Sequence, residues 1–338
     1  DHQLFVNAYG AVDGRFELNT HLNTKVSDRW HTGLYLHGNT RTLKSDNNDD
    51  GFLDLPLAKQ VNVMNRWQYT DGENGFVSFI NVRAMRDEKQ TGQLDFDPDR
   101  DKLTTNFWGS EINTERYDVS AKLGWVNPEI PYQSIGVQTA FSYHNQESYF
   151  GLRVYNIEHQ SFYGNAMYNS IISDSRHKVK MGVSFTYDQY KELVLTAPFN
   201  RKENSVGGFF EYNYDDLENL NLSVGIRADN HNRLGFFVTP RLHARYTAWD
   251  KGVFRFSVGS GRRSANIFSN RVIQLPDSQG PIYGLDPEKA WNYGVSYLQG
   301  FNLFGRTGDI ALDFYRTDFE NQVIVDWGAS RQVQFYNL

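Results

Sequence analysis

Oxygen-bearing side chains recur at every second position in Asp46-Asn47-Asn48-Asp49-Asp50-Gly51-Phe52-Leu53-Asp54. The side chains of Asp46, Asn48 and Asp50, the carbonyl of Phe52 and the carboxylate of Asp54 make a set of hard oxygen donors. Gly51 permits the sharp turn that would wrap them round an ion, and such a set suits calcium. The pattern departs from an EF-hand, because its twelfth position is Leu57 and no flanking helices are expected; a solvated acidic turn fits the same residues. Asp95, Asp97, Asp99 and Asp101 in the next long connector would be placed to complete the coordination. Other chemistry is thinner. Ser142 and His144 share a strand face two residues apart, but no third group orients them, so the chain is expected not to be an enzyme. The histidines are scattered, and His31 and His37 have no carboxylate at ligand spacing. The absence of cysteine removes disulfides, thiolate metal sites and cysteine nucleophiles. Arg262 and Arg263, at a strand end, would attract an anionic ligand.

The elements that must position these residues are strands. From Ser134 to His144, Ile135, Val137, Thr139, Phe141 and Tyr143 fall on one face, and Ser134, Gly136, Gln138, Ser142 and His144 on the other. The same split separates Val179, Met181, Val183, Phe185 and Tyr187 from Lys180, Ser184, Thr186 and Asp188, and Phe254, Phe256 and Val258 from Arg255, Ser257 and Gly259. Alternation alone fits a soluble sandwich as well as a membrane barrel. The connectors separate the two. Every second one is short, as at Val26-Ser27-Asp28, Asn127-Pro128-Glu129, Ser173-Asp174-Ser175 and Asp216-Leu217-Glu218-Asn219, whereas residues 42–60, 87–111 and 264–290 make the longest intervening ones. Short turns at one end of a sheet and long polar loops at the other predict an all-β, antiparallel transmembrane β-barrel, with about sixteen strands present.

Composition is consistent with this. Aromatic residues make up 15% of the 338, and many stand at strand ends, among them Trp67, Tyr69, Trp108, Tyr117, Trp125, Tyr132, Tyr143, Trp291 and Tyr293, where a barrel places its interfacial girdles. The mean hydropathy is −0.60, and no apolar run approaches the roughly twenty residues a membrane helix needs. A barrel needs no such run, since only alternate residues face lipid. The net charge of −6 leaves no basic footprint for nucleic acid. No linker or helical period marks a boundary, so residues 1–338 are expected to form a single domain.

Four stretches carry a family likeness: Gly225-Ile226-Arg227-Ala228-Asp229; Thr239-Pro240-Arg241-Leu242-His243-Ala244-Arg245-Tyr246; Phe254 to Arg263; and Leu285-Asp286-Pro287-Glu288-Lys289-Ala290-Trp291-Asn292-Tyr293-Gly294. In order and spacing they resemble the barrel of TonB-dependent outer-membrane receptors, in particular the Bacteroidetes type, and Asp313 to Phe319 fits the late strands of that barrel. The resemblance implies a 22-stranded, plugged barrel in the bacterial outer membrane. It also implies import of a small nutrient, a metal chelate (siderophore) or a vitamin such as cobalamin, with energy relayed by TonB. Against that pattern the plug domain, which would engage TonB, and about six last strands are expected to be absent from this chain. A 16-stranded passive porin is the alternative that the strand count alone would favour. The partners implied are outer-membrane lipid, the nutrient ligand, and TonB through the plug. Asp188, Glu211, Arg227, Asp229, Arg241 and Arg255 lie on the strand faces predicted to line the lumen, where the resemblance would pair them with the plug. Cobalamin receptors of the family order their outer loops with calcium, which adds to the reading of Asp46 to Asp54. The boxes that flank the axial histidine of its haem receptors are not matched by Arg262-Arg263-Ser264-Ala265 and Gly284-Leu285-Asp286-Pro287.

Overall fold

The computed structural model describes residues 3–264, 285–329 and 332–338. Among them the fold is almost wholly β: β1 (Leu4–Gly10), β2 (Arg15–Lys25), β3 (Trp30–Arg41), β4 (Leu57–Asp71), β5 (Phe76–Gly92), β6 (Gly109–Val126), β7 (Ser134–Phe150), β8 (Arg153–Ile172), β9 (Asp174–Val194) and β10 (Ala197–Asp215). These are followed by β11 (Leu220–His231), β12 (Gly235–Trp249), β13 (Gly252–Arg263), β14 (Glu288–Leu303), β15 (Arg306–Glu320), β16 (Val323–Ala329) and β17 (Gln332–Asn337). The one helical turn among the described residues, α1 (Pro98–Asp101), follows from its N-terminal residues: Asp97 accepts from the Asp99 N–H at 3.0 Å, and Pro98 occupies the first helical position. β1 to β15 form one sheet in chain order, and β16 and β17 pair separately. The count expected from the sequence was about sixteen; among the described residues fifteen strands share the sheet, and β16 and β17 pair with each other instead.

The connectors refine the expectation. Two of the long ones stand at 42–56 and 93–108, shorter than expected because β4, β5 and β6 run into them; the third, 264–290, lies largely outside the described residues. Tight turns occupy several positions where longer loops would be expected. β9 continues to Val194 and β10 already begins at Ala197, so this hairpin extends through the charged run Arg201-Lys202-Glu203.

The chain divides into two compact units, residues 1–129, 136–165 and 185–204, and residues 130–135, 166–184 and 205–338. In the first, antiparallel register sets Val6, Thr20, Leu36, Val63, Ala84 and Tyr117 in one cross-strand row and Leu4, Leu22, Leu34, Asn65, Val82 and Val119 in the next on that face. The opposite face carries Phe5, His21, Tyr35, Met64, Arg83 and Asp118, then Asn7, Asn19, His37, Asn62, Met85 and Arg116. In the second unit the row Tyr214, Leu222, Ala244, Phe256, Val295 and Phe314 is apolar, while Glu211, Gly225, Arg241, Gly259, Asn292 and Thr317 form a polar one.

The apolar rows are not a core. Leu36 is 42% exposed, Val119 46% and Phe314 66%, whereas the buried apolar residues among those described are Leu53, Phe96, Tyr149, Tyr155, Val179, Val194 and Val253. A chain of this length folded for water would bury most of its large apolar side chains. Here they are displayed in continuous rows, far beyond the patch a soluble monomer tolerates. Aromatic rings collect beside the short turns at one end of the strands. Trp30 meets Trp67 and Tyr69 at 6.2 and 5.1 Å, and Tyr297 packs on Phe254 and Trp249 at 4.7 and 6.2 Å. This is the placement expected of interfacial rings.

Candidate functional site

Loops 42–56 and 93–108, in the first unit, are tied together by backbone bonds. The Leu53 N–H donates to the Gly92 carbonyl and the Leu94 N–H to the Gly51 carbonyl, each at 2.9 Å, and Phe52 bridges Gln93. Leu53 and Phe96 are buried at this junction, and Phe96 faces the ring of Tyr149 at 6.5 Å. Phe52 and Trp108 stand beside each other at 6.2 Å and remain exposed. The two loops therefore form an ordered shelf with an aromatic pair on its surface.

The calcium candidates lie on this shelf as turn caps. Asp46 accepts from the N–H groups of Asp50 and Gly51 at 3.1 and 2.9 Å, and Asp50 from the Phe52 N–H at 2.9 Å and from Asn48 at 3.0 Å. Asp54 accepts from Ser45 and from the Asn47 backbone and amide. The donor chemistry suits calcium, but each carboxylate is turned to a hydrogen of its own loop, and among the described residues no three Asp, Glu or His side chains converge as ligands. Of the second group, Asp97 caps α1 and Asp101 is buried against Arg100, with contacts of 2.7 and 3.0 Å, and accepts from the Asp97 N–H. The Arg100 guanidinium is the main cause that brings the Asp101 carboxyl down to about 2.

The polar face of the same unit carries a chain of charges. Asp118 accepts from Arg116 at 3.0 Å and from the Ser142 hydroxyl at 2.7 Å, with Arg83 at 3.9 Å. The Ser142 hydroxyl is thus committed to Asp118 and makes no dyad with His144, whose Nδ1 has no partner. Asp188, one of the expected lumen charges, meets His159 Nε2 at 2.8 Å, and the His159 ring stacks on Tyr190 at 4.3 Å. Arg201 lies 3.7 Å over Tyr190 and pairs with the buried Glu192, which also accepts from the Tyr155 hydroxyl at 3.0 Å. Sequence reasoning found Asp188 but not His159, Glu192 or Arg201. Their partners stand 29 and 9 residues away and meet through hairpin pairing, so only an assumed register would have revealed them.

The second unit holds the other expected charges. Arg227 binds Asp229, with Nε to Oδ2 at 2.7 Å, and donates to the Ser184 hydroxyl at 2.7 Å. Arg241 pairs with Glu211, and Lys180 lies 3.7 Å from the same carboxylate. Arg255 stands opposite Arg245. The proposed anion attractors separate: Arg263 pairs with Glu288, while the Arg262 guanidinium sits 5.2 Å over the Phe237 ring. Register places Glu211, Arg227, Asp229, Arg241 and Arg255 on one face, opposite the apolar rows.

One apolar and one charged face on a long antiparallel sheet suit the wall of a membrane barrel. A family model described as TonB dependent receptor-like, beta-barrel, matches residues 15–338. The chain belongs to this family. The siderophore receptor PirA from Pseudomonas aeruginosa has a similar structure (TM-score 0.68, 13% identity, covering 99% of this chain and 59% of that one). So have the alcaligin outer-membrane receptor FauA from Bordetella pertussis (0.69, 14%, 99% and 55%) and the copper transporter OprC (0.69, 11%, 99% and 56%). The TonB-dependent receptor chain described here thus spans little more than half the length of these solved relatives. No curated protein sequence matches it. Membership in this receptor family disfavours the porin alternative.

Proposed function

We propose that this chain is the barrel of an outer-membrane receptor that binds a scarce nutrient and imports it with energy relayed by TonB. The family match over residues 15–338 carries this reading, and the exposed apolar rows give it a physical basis, since they need lipid to cover them. A metal chelate such as a siderophore, or a vitamin such as cobalamin, is the ligand class proposed; solved relatives described as siderophore receptors support the first. On this reading the face bearing Glu211, Arg227, Asp229 and Arg241 turns towards a plug domain. Those four charges are already matched in pairs, Arg227 with Asp229 and Arg241 with Glu211. The likeness of the four motifs to Bacteroidetes receptors belongs to the same proposal.

Calcium at Asp46, Asn48, Asp50, Phe52 and Asp54 is part of it too. An ion there would share these carboxylates with the N–H groups they now cap. Calorimetry in detergent would register it as saturable heat lost in Asp46→Asn. An absence of calcium-dependent heat in the unsubstituted protein would remove calcium from the account.

Uptake tests the main reading. Cells carrying the full-length receptor should accumulate a radiolabelled ferric siderophore or cobalamin, and collapsing the inner-membrane proton gradient should abolish accumulation. Uptake that persists without the gradient would mean a passive channel.

A further inference from the structure

The apolar face of the first unit changes character at the end of the strands away from the short turns. Leu36, Val63, Ala84 and Tyr117 form one cross-strand row, and the Tyr117 ring stacks on Tyr143 at 6.3 Å. The next row outwards on that face is Gly38, Val61, Arg86 and Glu115, and the one after it Thr40, Lys59, Glu88 and Asn113. Aromatic rings that give way at once to charge are what the rim of a lipid-facing band shows. The second unit has the same order on its own apolar face. Trp291 stacks on Tyr293 at 6.3 Å, Asp318 and Arg316 stand opposite them, and Lys289 pairs with Glu320 at 3.1 Å.

Beyond its rim the first unit has a groove of about 260 Å³ on this outer face, between the row of Lys59, Glu88 and Asn113 and that of Leu57, Gln90 and Glu111. Loop 93–108 closes one end. The Tyr149 hydroxyl donates to Glu111 at 2.8 Å, Phe96 packs on the Tyr149 ring, and Lys102 Nζ lies 5.1 Å over it. Most charges that border the groove are already matched: Arg41 by Asp13, Lys89 by Asp87 and Glu88 by Arg86, at 3.0, 2.7 and 2.9 Å. Lys59 is exposed and, among the described residues, in no ion pair.

We propose that this groove holds the head group of an outer-leaflet glycolipid, a sugar bearing a phosphate, with the acyl chains of that lipid lying along the apolar rows beneath. Lys59 gives the phosphate a charge-assisted hydrogen bond. The amides of Gln90 and Asn113 donate and accept, and the Glu88 and Glu111 carboxylates accept, so together they suit hydroxyls, which do both. The two carboxylates disfavour a bare anion, and a head group without hydroxyls leaves them and the amides unanswered. A groove of this size takes one sugar ring with its phosphate, and its position next to the apolar rows makes the ligand a lipid. The inference rests on the reading that those rows face lipid.

Native mass spectrometry of the full chain, released from detergent micelles after incubation with equal amounts of lipid A, dephosphorylated lipid A and a phosphatidylethanolamine, tests it. Lipid A should be retained most strongly. Lys59→Gln should weaken its retention about tenfold, to the level of the dephosphorylated form, and leave that form unaffected. Asn113→Ala should weaken both forms, and Lys25→Gln, beside a short turn, neither. Unchanged melting in lipid-free detergent would separate these losses from misfolding. Retention of all three lipids alike, or of lipid A undiminished in Lys59→Gln, would overturn the head-group site and leave the lipid-facing wall standing. No retained lipid of any kind would overturn both.

Discussion

Asp101 holds loop 93–108 through one buried carboxylate that accepts from Arg100 and from the backbone of Asp97. Those contacts bring its carboxyl from the ordinary 3.8 to about 2. A depressed folded value means that the stabilisation is complete above the ordinary value and is lost as pH falls towards 2. Trp108 lies in the same loop, so its fluorescence should stay constant from neutral pH down to about 4 and change between there and 2. A transition near neutrality would place the control on another group. Asp101→Asn should raise amide exchange across 93–108 at neutral pH without altering exchange in β11 to β13. At this scale the sequence was only partly readable. The acidic repeat at Asp46 to Asp54 was visible as a turn with oxygen donors, but which hydrogens those oxygens accept depends on the loop's own path. His159 and Asp188, or Arg245 and Arg255, become neighbours only through strand pairing.

Strand turns decide the register that creates such neighbours. Gly75 closes the β4–β5 turn with φ +75°, its carbonyl accepts from the Val126 N–H at 2.9 Å, and a Cβ on it would collide with the Val126 carbonyl. Gly75→Ala should therefore cost about 1–3 kcal/mol in urea unfolding from micelles, since it combines left-handed backbone with a steric clash. Unchanged stability would mean the turn relaxes freely. In the β10–β11 turn Asp216 accepts from the N–H groups of Leu220, Glu218 and Asn219, which hold its carboxyl below the ordinary value. Such turns were legible because Asp, Asn and Gly announce them. The β9–β10 hairpin was legible in part: the alternation of β9 up to Val194 and of β10 from Val206 shows in the sequence, and the charged run Arg201-Lys202-Glu203 belongs to the strand as well. Paired with β9 it persists as strand, with Arg201 matched by Glu192 and Tyr190.

For the whole molecule the period of two was the most legible signal and the most consequential. It separated Phe254, Phe256 and Val258 from Arg255, Ser257 and Gly259 before any pairing was known, and cross-strand register joins such alternations into continuous apolar and polar faces. If the apolar face meets lipid, Val63→Arg should destabilise the barrel in bilayers by about 2–4 kcal/mol, while an arginine on the polar face, as in Tyr35→Arg, should cost far less. Equal costs would argue against a lipid-facing side. The most direct test uses the absence of cysteine: single cysteines introduced at Leu34, Tyr35, Leu36 and His37 of β3 can carry a nitroxide with no background labelling. In lipid vesicles the labels at positions 34 and 36 should collide with dissolved oxygen and be shielded from a water-soluble nickel chelate, with the opposite result at 35 and 37. Labels at 34 and 36 protected from both reagents, as in the core of a soluble sandwich, would contradict the membrane barrel.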